Sequence, residues 1–483
     1  MKKIYSLIIL CLLAAACQQQ SVPGSPTDGQ PSNIGKTVFY SADDEPLAFL
    51  PSVDSSAWTA LRSLGEMFNA CSVPDDLLRR MTTDALVGSA VNYPLNYLIY
   101  VYNDPMSAVE LIFENSPLHR ELASRQDAPA ELAELFSESD YGFEIKTDLE
   151  DKQLSYTDEM FLEYLISSDR IAGRADAEAK DLLRDAVSEK AMQRLSEPDR
   201  YSIASVKPLM AIDRAAGLMF LDVENAEKPK IGTNVIAPII DTVIIKTPLD
   251  KPITAYIRQE LSTSEIKDIV NDIVNNYPDA LFRGTPTSLY NCHSYAWYKN
   301  STDNNVWIDS YINGNLQLST YWEHDVFVSC AETGAIRAYY SLGDHSAIIL
   351  PNGKYLSKWG MGPLLEHDKE YCPYSTANIQ YFKPRDTPAY TLTVLGKTPV
   401  DLNETNNTYY ISSPLPDLEY EWEVRYMDAE EPKPYELIPE NSYNTSCRLI
   451  CKDYGLFKIN VYGKYLGGRV AFGQLNVIAY PQQ

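Results

Sequence analysis

Asn291-Cys292-His293-Ser294-Tyr295-Ala296-Trp297-Tyr298 and, some fifty residues on, Gly343-Asp344-His345-Ser346-Ala347-Ile348-Ile349-Leu350 are the stretches from which the central fold is read. Asn is a strong helix N-cap, so Asn291 starts a helix with Cys292 in its first turn, where free backbone amides and the helix dipole favour a thiolate. The second stretch reads as a strand. His345 opens it and is expected to lean into a cleft, while Ala347 and Ile349 pack inward. Pro351-Asn352-Gly353-Lys354 follows, and Asn-Gly is a strong signal for a two-residue hairpin turn. That turn pairs Leu350 with Tyr355. Lys358 then lies opposite Ala347 and on the same face as His345.

Upstream, Ser262-Thr263-Ser264-Glu265 is a capping-box pattern, and Ile266, Ile269, Val270, Ile273 and Val274 form a helical stripe ending before Tyr277-Pro278. Between Ile231 and Tyr256 the texture is β-branched and broken by Pro238, Pro248 and Pro252, which suits strands and loops. Residues 37–230 read as one helical domain. Phe161 to Leu165, and Leu183, Val187, Ala191 and Leu195, carry apolar residues at helical spacing, and helix starts are marked at Pro74 and at Thr82-Thr83-Asp84. Beyond Pro388 the chain alternates: Tyr420, Trp422, Val424 and Tyr426 interleave with Glu419, Glu421, Glu423 and Arg425, and Gly467-Gly468 marks a late hairpin. A multidomain α+β architecture follows, with boundaries at 37–230, 231–387 and 388–483.

The net charge of −25 disfavours nucleic acid and anionic membrane surfaces as partners. Beyond Cys11 and Cys17, the cysteines at 71, 292, 330, 372, 447 and 451 show no C-x-x-C spacing, so neither a zinc ribbon nor a disulfide scaffold is indicated. Cys447 and Cys451 stand about 13 Å apart if a strand joins them, too far for a disulfide. A metal set drawn from Cys292, His293, His345, His367 and Cys372 lacks the usual ligand spacing. No metal or cofactor is expected. At the N-terminus, Lys2 and Lys3 precede an apolar run from Ile4 to Leu13 and then Ala14-Ala15-Ala16-Cys17, which resembles a bacterial lipoprotein lipobox. The resemblance implies a signal peptide over 1–16, lipidation of Cys17 and membrane anchoring in the cell envelope; residues 17–36 read as a flexible tether.

Over about Ser262 to Arg385 the two motifs, together with Ser357-Lys358-Trp359-Gly360, resemble the NlpC-like and CHAP-like cysteine peptidases and amidases. The resemblance implies a papain-like central domain that cleaves peptide or amide bonds, many such domains acting on peptidoglycan stem peptides. Cys292 then matches the nucleophile and His345 its base. Backbone amides at the helix start would hold the oxyanion. The orienting third position falls on Lys358, which cannot accept a hydrogen bond from the ring, leaving His367 or Asp368 as substitutes. Asn291, Lys358 and Trp359 are the expected substrate-side residues, and His293 is expected to point elsewhere. The C-terminal stretch resembles immunoglobulin-like or PKD-like sandwiches, which serve as spacers or binding modules. An inactive surface lipoprotein acting as an adhesin is the alternative function.

Overall fold

Ser262 accepts from the backbone of Glu265 while Glu265 reaches back to the backbone of Ser262, and helix Thr263–Asn276 runs from this capping box to Tyr277, as its stripe predicts. The computed structural model describes residues 38–40, 42–141, 153–218, 221–222, 230–231, 234–235, 240–427 and 433–481. The expected signal peptide 1–16, Cys17 and the tether 17–36 lie outside the described residues. The fold is mixed α+β, with a β-rich C-terminal part.

The helical part includes Thr83–Val91, capped by Thr82, then Pro105–Asn115, Tyr156–Ser167, Ala177–Ser196 and Lys207–Ala215. Leu183, Val187 and Ala191 are buried along Ala177–Ser196, so the apolar spacing does mark the packed face. Buried ion pairs tie that helix to Tyr156–Ser167: Lys190 Nζ to Glu159 Oε1 at 2.8 Å, and Arg194 Nη2 to Glu163 Oε1 at 2.6 Å and to Glu159 Oε1 at 3.7 Å.

A seven-stranded antiparallel sheet forms the centre. Its strands are β1 (Leu281–Gly284), β2 (Phe327–Cys330), β3 (Arg337–Tyr340), β4 (His345–Ile349), β5 (Tyr355–Lys358), β6 (Leu364–His367) and β7 (Ile379–Pro384), in the order β1-β6-β5-β4-β3-β7-β2. Successive strand residues face opposite ways, so the sheet has two apolar faces. Tyr340, Ala347, Tyr355 and Leu365 share a core with the helices, whereas Tyr339, Ile348, Leu364 and Phe382 pack with Tyr295, Trp297 and the hairpin strand Pro252–Arg258. The core of the helical part therefore continues onto the sheet. Tyr97 and Tyr277 join hydroxyls at 2.9 Å across that contact, and Met361 N donates to Tyr100 O at 2.7 Å.

Toward the C-terminus, Glu419–Tyr426, Gly455–Tyr465 and Gly468–Tyr480 pair in one sheet, and Thr408–Ile411, Ser446–Cys451 and Tyr435–Pro439 in another. Val424, Phe457, Ile459 and Val477 of the first share a core with Tyr409, Cys447, Leu449 and Cys451 of the second. The expected glycine hairpin is present: Leu466 and Gly467 both have positive φ between the paired Tyr465 and Gly468, the geometry of a type I′ turn. Cys447 and Cys451 are free, at opposite ends of one strand.

Candidate functional site

Asn291 does cap the turn that carries Cys292. Its Oδ1 accepts from Ser294 N at 3.1 Å, and its carbonyl accepts from Tyr295 N at 3.0 Å. The helix then widens into a π-turn over Ser294–Tyr298, closed by Lys299 N to Ser294 O at 2.9 Å. Trp297 is buried beneath it and donates Nε1–H to Ser346 Oγ at 2.8 Å, so this short element is docked on the Ser346 face of β4. Asn291 Nδ2 donates to Ile308 O at 2.8 Å and to Asn103 Oδ1 at 3.1 Å. With its amide so engaged, Asn291 positions the cysteine turn; the substrate-side role expected for it has no free group to act with.

Asn103 comes from the segment leading into helix Pro105–Asn115, far away in sequence. Its Nδ2 lies 3.5 Å from Cys292 Sγ, 2.9 Å from Asp344 O and 3.0 Å from His293 Nε2. His293, expected to point elsewhere, is central to the cluster. Its Nδ1 lies 2.9 Å from Ser346 Oγ, and its Nε2 lies 3.2 Å from Asp344 Oδ1. Asp344 Oδ1 also accepts from Ser310 Oγ. Burial by itself would lower the His293 pKa, but the charge of Cys292, the charge and hydrogen bond of Asp344, and a hydrogen bond with Cys292 outweigh it and push the value up to about 10. Burial likewise works to raise Asp344, and the imidazolium with its hydrogen bonds overcomes it, holding the carboxyl below its ordinary range.

His345 is set differently from the expectation. It is 0 % exposed, lies stacked on Tyr374 with ring centroids 3.6 Å apart, and neither ring nitrogen has a hydrogen-bond partner. Burial, together with the charges of His367 and His293, pushes its pKa well down. His345 shares the face of Ala347, which packs on the helices. The register of the hairpin that follows also differs from the expectation. The loop is the three residues Pro351-Asn352-Gly353, with Gly353 at φ +80°, closed by Leu350 N to Lys354 O at 2.9 Å. Ile349, not Leu350, therefore pairs with Tyr355. A slip of one residue exchanges the faces of a strand. Lys358 continues opposite Ser346 rather than Ala347, on the face away from His345.

Lys358 is buried and donates to Thr287 O at 3.0 Å and Gly360 O at 2.6 Å. Burial pushes its pKa down to about 7 against the opposing pull of Glu260 and Cys292. Its bonds are to backbone carbonyls, so it is held as a structural cation near the cysteine. His367, offered as a catalytic substitute, is occupied at both nitrogens, by Ser357 Oγ at 2.8 Å and Asp368 O at 2.8 Å. Asp368 itself pairs on the surface with Lys354. Trp359 is 0 % exposed, bonded to Ser357 Oγ and packed edge-on against Tyr277, a core residue rather than a substrate-side one. Thus Cys292 and Asn291 are brought together with His293, Asp344 and Asn103, while His367 and Trp359 sit on the other face of the sheet. The adjacent pairs Cys292-His293 and Asp344-His345 were visible in the sequence; nothing in it pointed to Asn103.

Beside this cluster lies a cleft of about 400 Å³, lined by Asn103, Tyr164, Lys207, Arg258, Asp309 and Asp344 among others. Among the described residues no group of three or more His, Cys, Asp or Glu side chains converges as metal ligands would, and no helix is long and apolar enough to cross a membrane. Searches of protein-family models, curated proteins and solved structures found no match to this chain.

Proposed function

We propose that this chain is a cysteine hydrolase of peptide or amide bonds, with Cys292 as nucleophile, His293 as its proton carrier and Asp344 as the group that orients the ring. The observation that carries the reading is the setting of His293 Nε2, flanked by an acceptor, Asp344 Oδ1 at 3.2 Å, and a donor, Asn103 Nδ2 at 3.0 Å. Such a nitrogen keeps a hydrogen bond with its proton or without it, which is what a group that shuttles a proton requires. In the proposed cycle the thiol proton of Cys292 already resides on His293, the sulfur attacks the carbonyl carbon, and the proton passes to the leaving amine; water then splits the thioester and returns a proton to the ring. Backbone amides at the start of the cysteine turn would hold the developing oxyanion, as the resemblance implies.

The same reading takes the central sheet as a divergent papain-like core, the C-terminal sheets as an immunoglobulin-like spacer, and the setting as the cell envelope, reached through a lipid on Cys17, with peptidoglycan stem peptides as the substrate class. Support for that setting is the lipobox-like N-terminus.

One observation favours the alternative of an inactive binding lipoprotein: Cys292 is only 1 % exposed beneath Asn103. Iodoacetamide separates the two. Rapid alkylation of Cys292 near neutral pH, slowed by at least about tenfold in folded His293→Ala, supports the hydrolase; an inert Cys292, with peptide turnover unchanged in Cys292→Ala, refutes it.

A further inference from the structure

The cleft beside Cys292 carries two cations that its own protein does not pair. Lys207 opens helix Lys207–Ala215, and Arg258 ends strand Pro252–Arg258. Among the described residues neither forms an ion pair, and Arg258 Nε is buried with no hydrogen-bond partner. The guanidinium lies over the Trp307 ring, with Cζ 3.6 Å from its centroid. Burial pushes the Lys207 ammonium down to about 7, where the charge of Arg258 adds to the effect, and pushes Arg258 down to about 10; the charge of Asp309 works to raise both. Two partly desolvated like charges lining one cleft are costly to hold, and an anion bound by both lowers that cost.

We propose that Lys207 and Arg258 form a subsite for one carboxylate group on a peptide or acyl ligand. A guanidinium matches a planar carboxylate through two parallel N–H bonds, and stacking on Trp307 holds its plane. The cleft also carries Asp104, Asp309 and Asp344. These acids oppose a dianion such as phosphate more strongly than a monoanion, so the planar monoanion is the anion class that the guanidinium geometry and the lining together disfavour least. Tyr164, Met160 and Met361 supply apolar wall for the rest of the ligand. That this ligand is also the substrate attacked by Cys292 rests on the hydrolase reading; the carboxylate subsite does not.

The test uses the full chain carrying Cys292→Ala, so that binding is read without turnover. Calorimetric titration with N-acetyl-Ala-Ala, with its C-terminal amide and with inorganic phosphate should show the acid bound at least about tenfold more tightly than either other probe. Lys207→Gln and Arg258→Gln should each reduce that preference by about tenfold, and Arg258→Lys should restore it only in part, because the fork is lost. Equal binding of acid and amide, tighter binding of phosphate, no measurable binding of any probe, or an unchanged preference in Lys207→Gln would each overturn the proposal. If Arg258→Gln unfolds, Lys207→Gln carries the test alone. An acid preference beside an inert Cys292 sinks the hydrolase and leaves the subsite standing; a reactive Cys292 without the preference does the reverse.

Discussion

Replacing Asp344 by Asn removes one of the two anions that hold the His293 proton while keeping the shape of the side chain. His293 is raised from 6.5 to about 10, and at about 1.4 kcal/mol per unit that rise bounds the linked stabilisation at roughly 5 kcal/mol. Cys292 shares it. The Asp344 side chain is 43 % exposed, so water screens the pair, and its own share is about 1–2 kcal/mol. A raised imidazole stabilises fully below its ordinary value and loses the effect as pH rises through the folded one. A depressed carboxyl stabilises above its ordinary range and loses the effect in acid. The deficit of Asp344→Asn is therefore greatest between mildly acidic and neutral pH and closes toward about pH 10. Ring-proton NMR across neutral and alkaline pH reads the His293 titration directly, and urea unfolding over the same range reads the stability. A wild-type ring that titrates at the ordinary histidine value, or a variant that titrates where the wild type does, would refute the reasoning.

His345→Phe keeps the stack on Tyr374 and loses no hydrogen bond, so stability should change by less than about 1.5 kcal/mol and Cys292 alkylation should keep its rate; a tenfold slower alkylation would return the proton-carrying role to His345. Gly360 sits at φ +52°, and a Cβ there would stand 2.6 Å from the carbonyl oxygens of Tyr100 and Val101. Gly360→Ala should thus cost about 2 kcal/mol or more in denaturant unfolding, with the damage localised by hydrogen exchange to the contact between the helices and the sheet. Lys190→Met removes the nearest cation from the buried Glu159 carboxylate, which keeps Ser139 Oγ at 2.9 Å and Arg194 at 3.7 Å, and should cost about 3 kcal/mol in urea unfolding; an unchanged midpoint would refute it.

Local chemistry was legible wherever one short stretch decides it. The Asn291 cap, the Ser262–Glu265 box, the stripe along Thr263–Asn276 and the turn at Leu466-Gly467 all follow from residues within a few positions of one another. The hairpin after β4 shows the limit: Asn352-Gly353 correctly signals a turn, but adding Pro351 to the loop moves the register by one. That single residue carries Lys358 to the face of Ser346 and away from His345, while His345 itself lies with Ala347 on the face packed against the helices.

From its residues alone the chain declares a mixed α+β fold, a helix start at Cys292 and a strand at His345, because caps and side-chain period act over one or two turns of backbone. Tertiary structure put His293, and not His345, in the cluster with Asn103, Asp344 and Ser346 beside Cys292, and brought in Asn103 and the cations of the cleft. Those contacts join side chains distant in sequence, such as Asn103 and Cys292, and depend on which face each strand turns to its neighbours. Strand parity and long-range packing are cooperative properties of the assembled layers, and no local pattern encodes them.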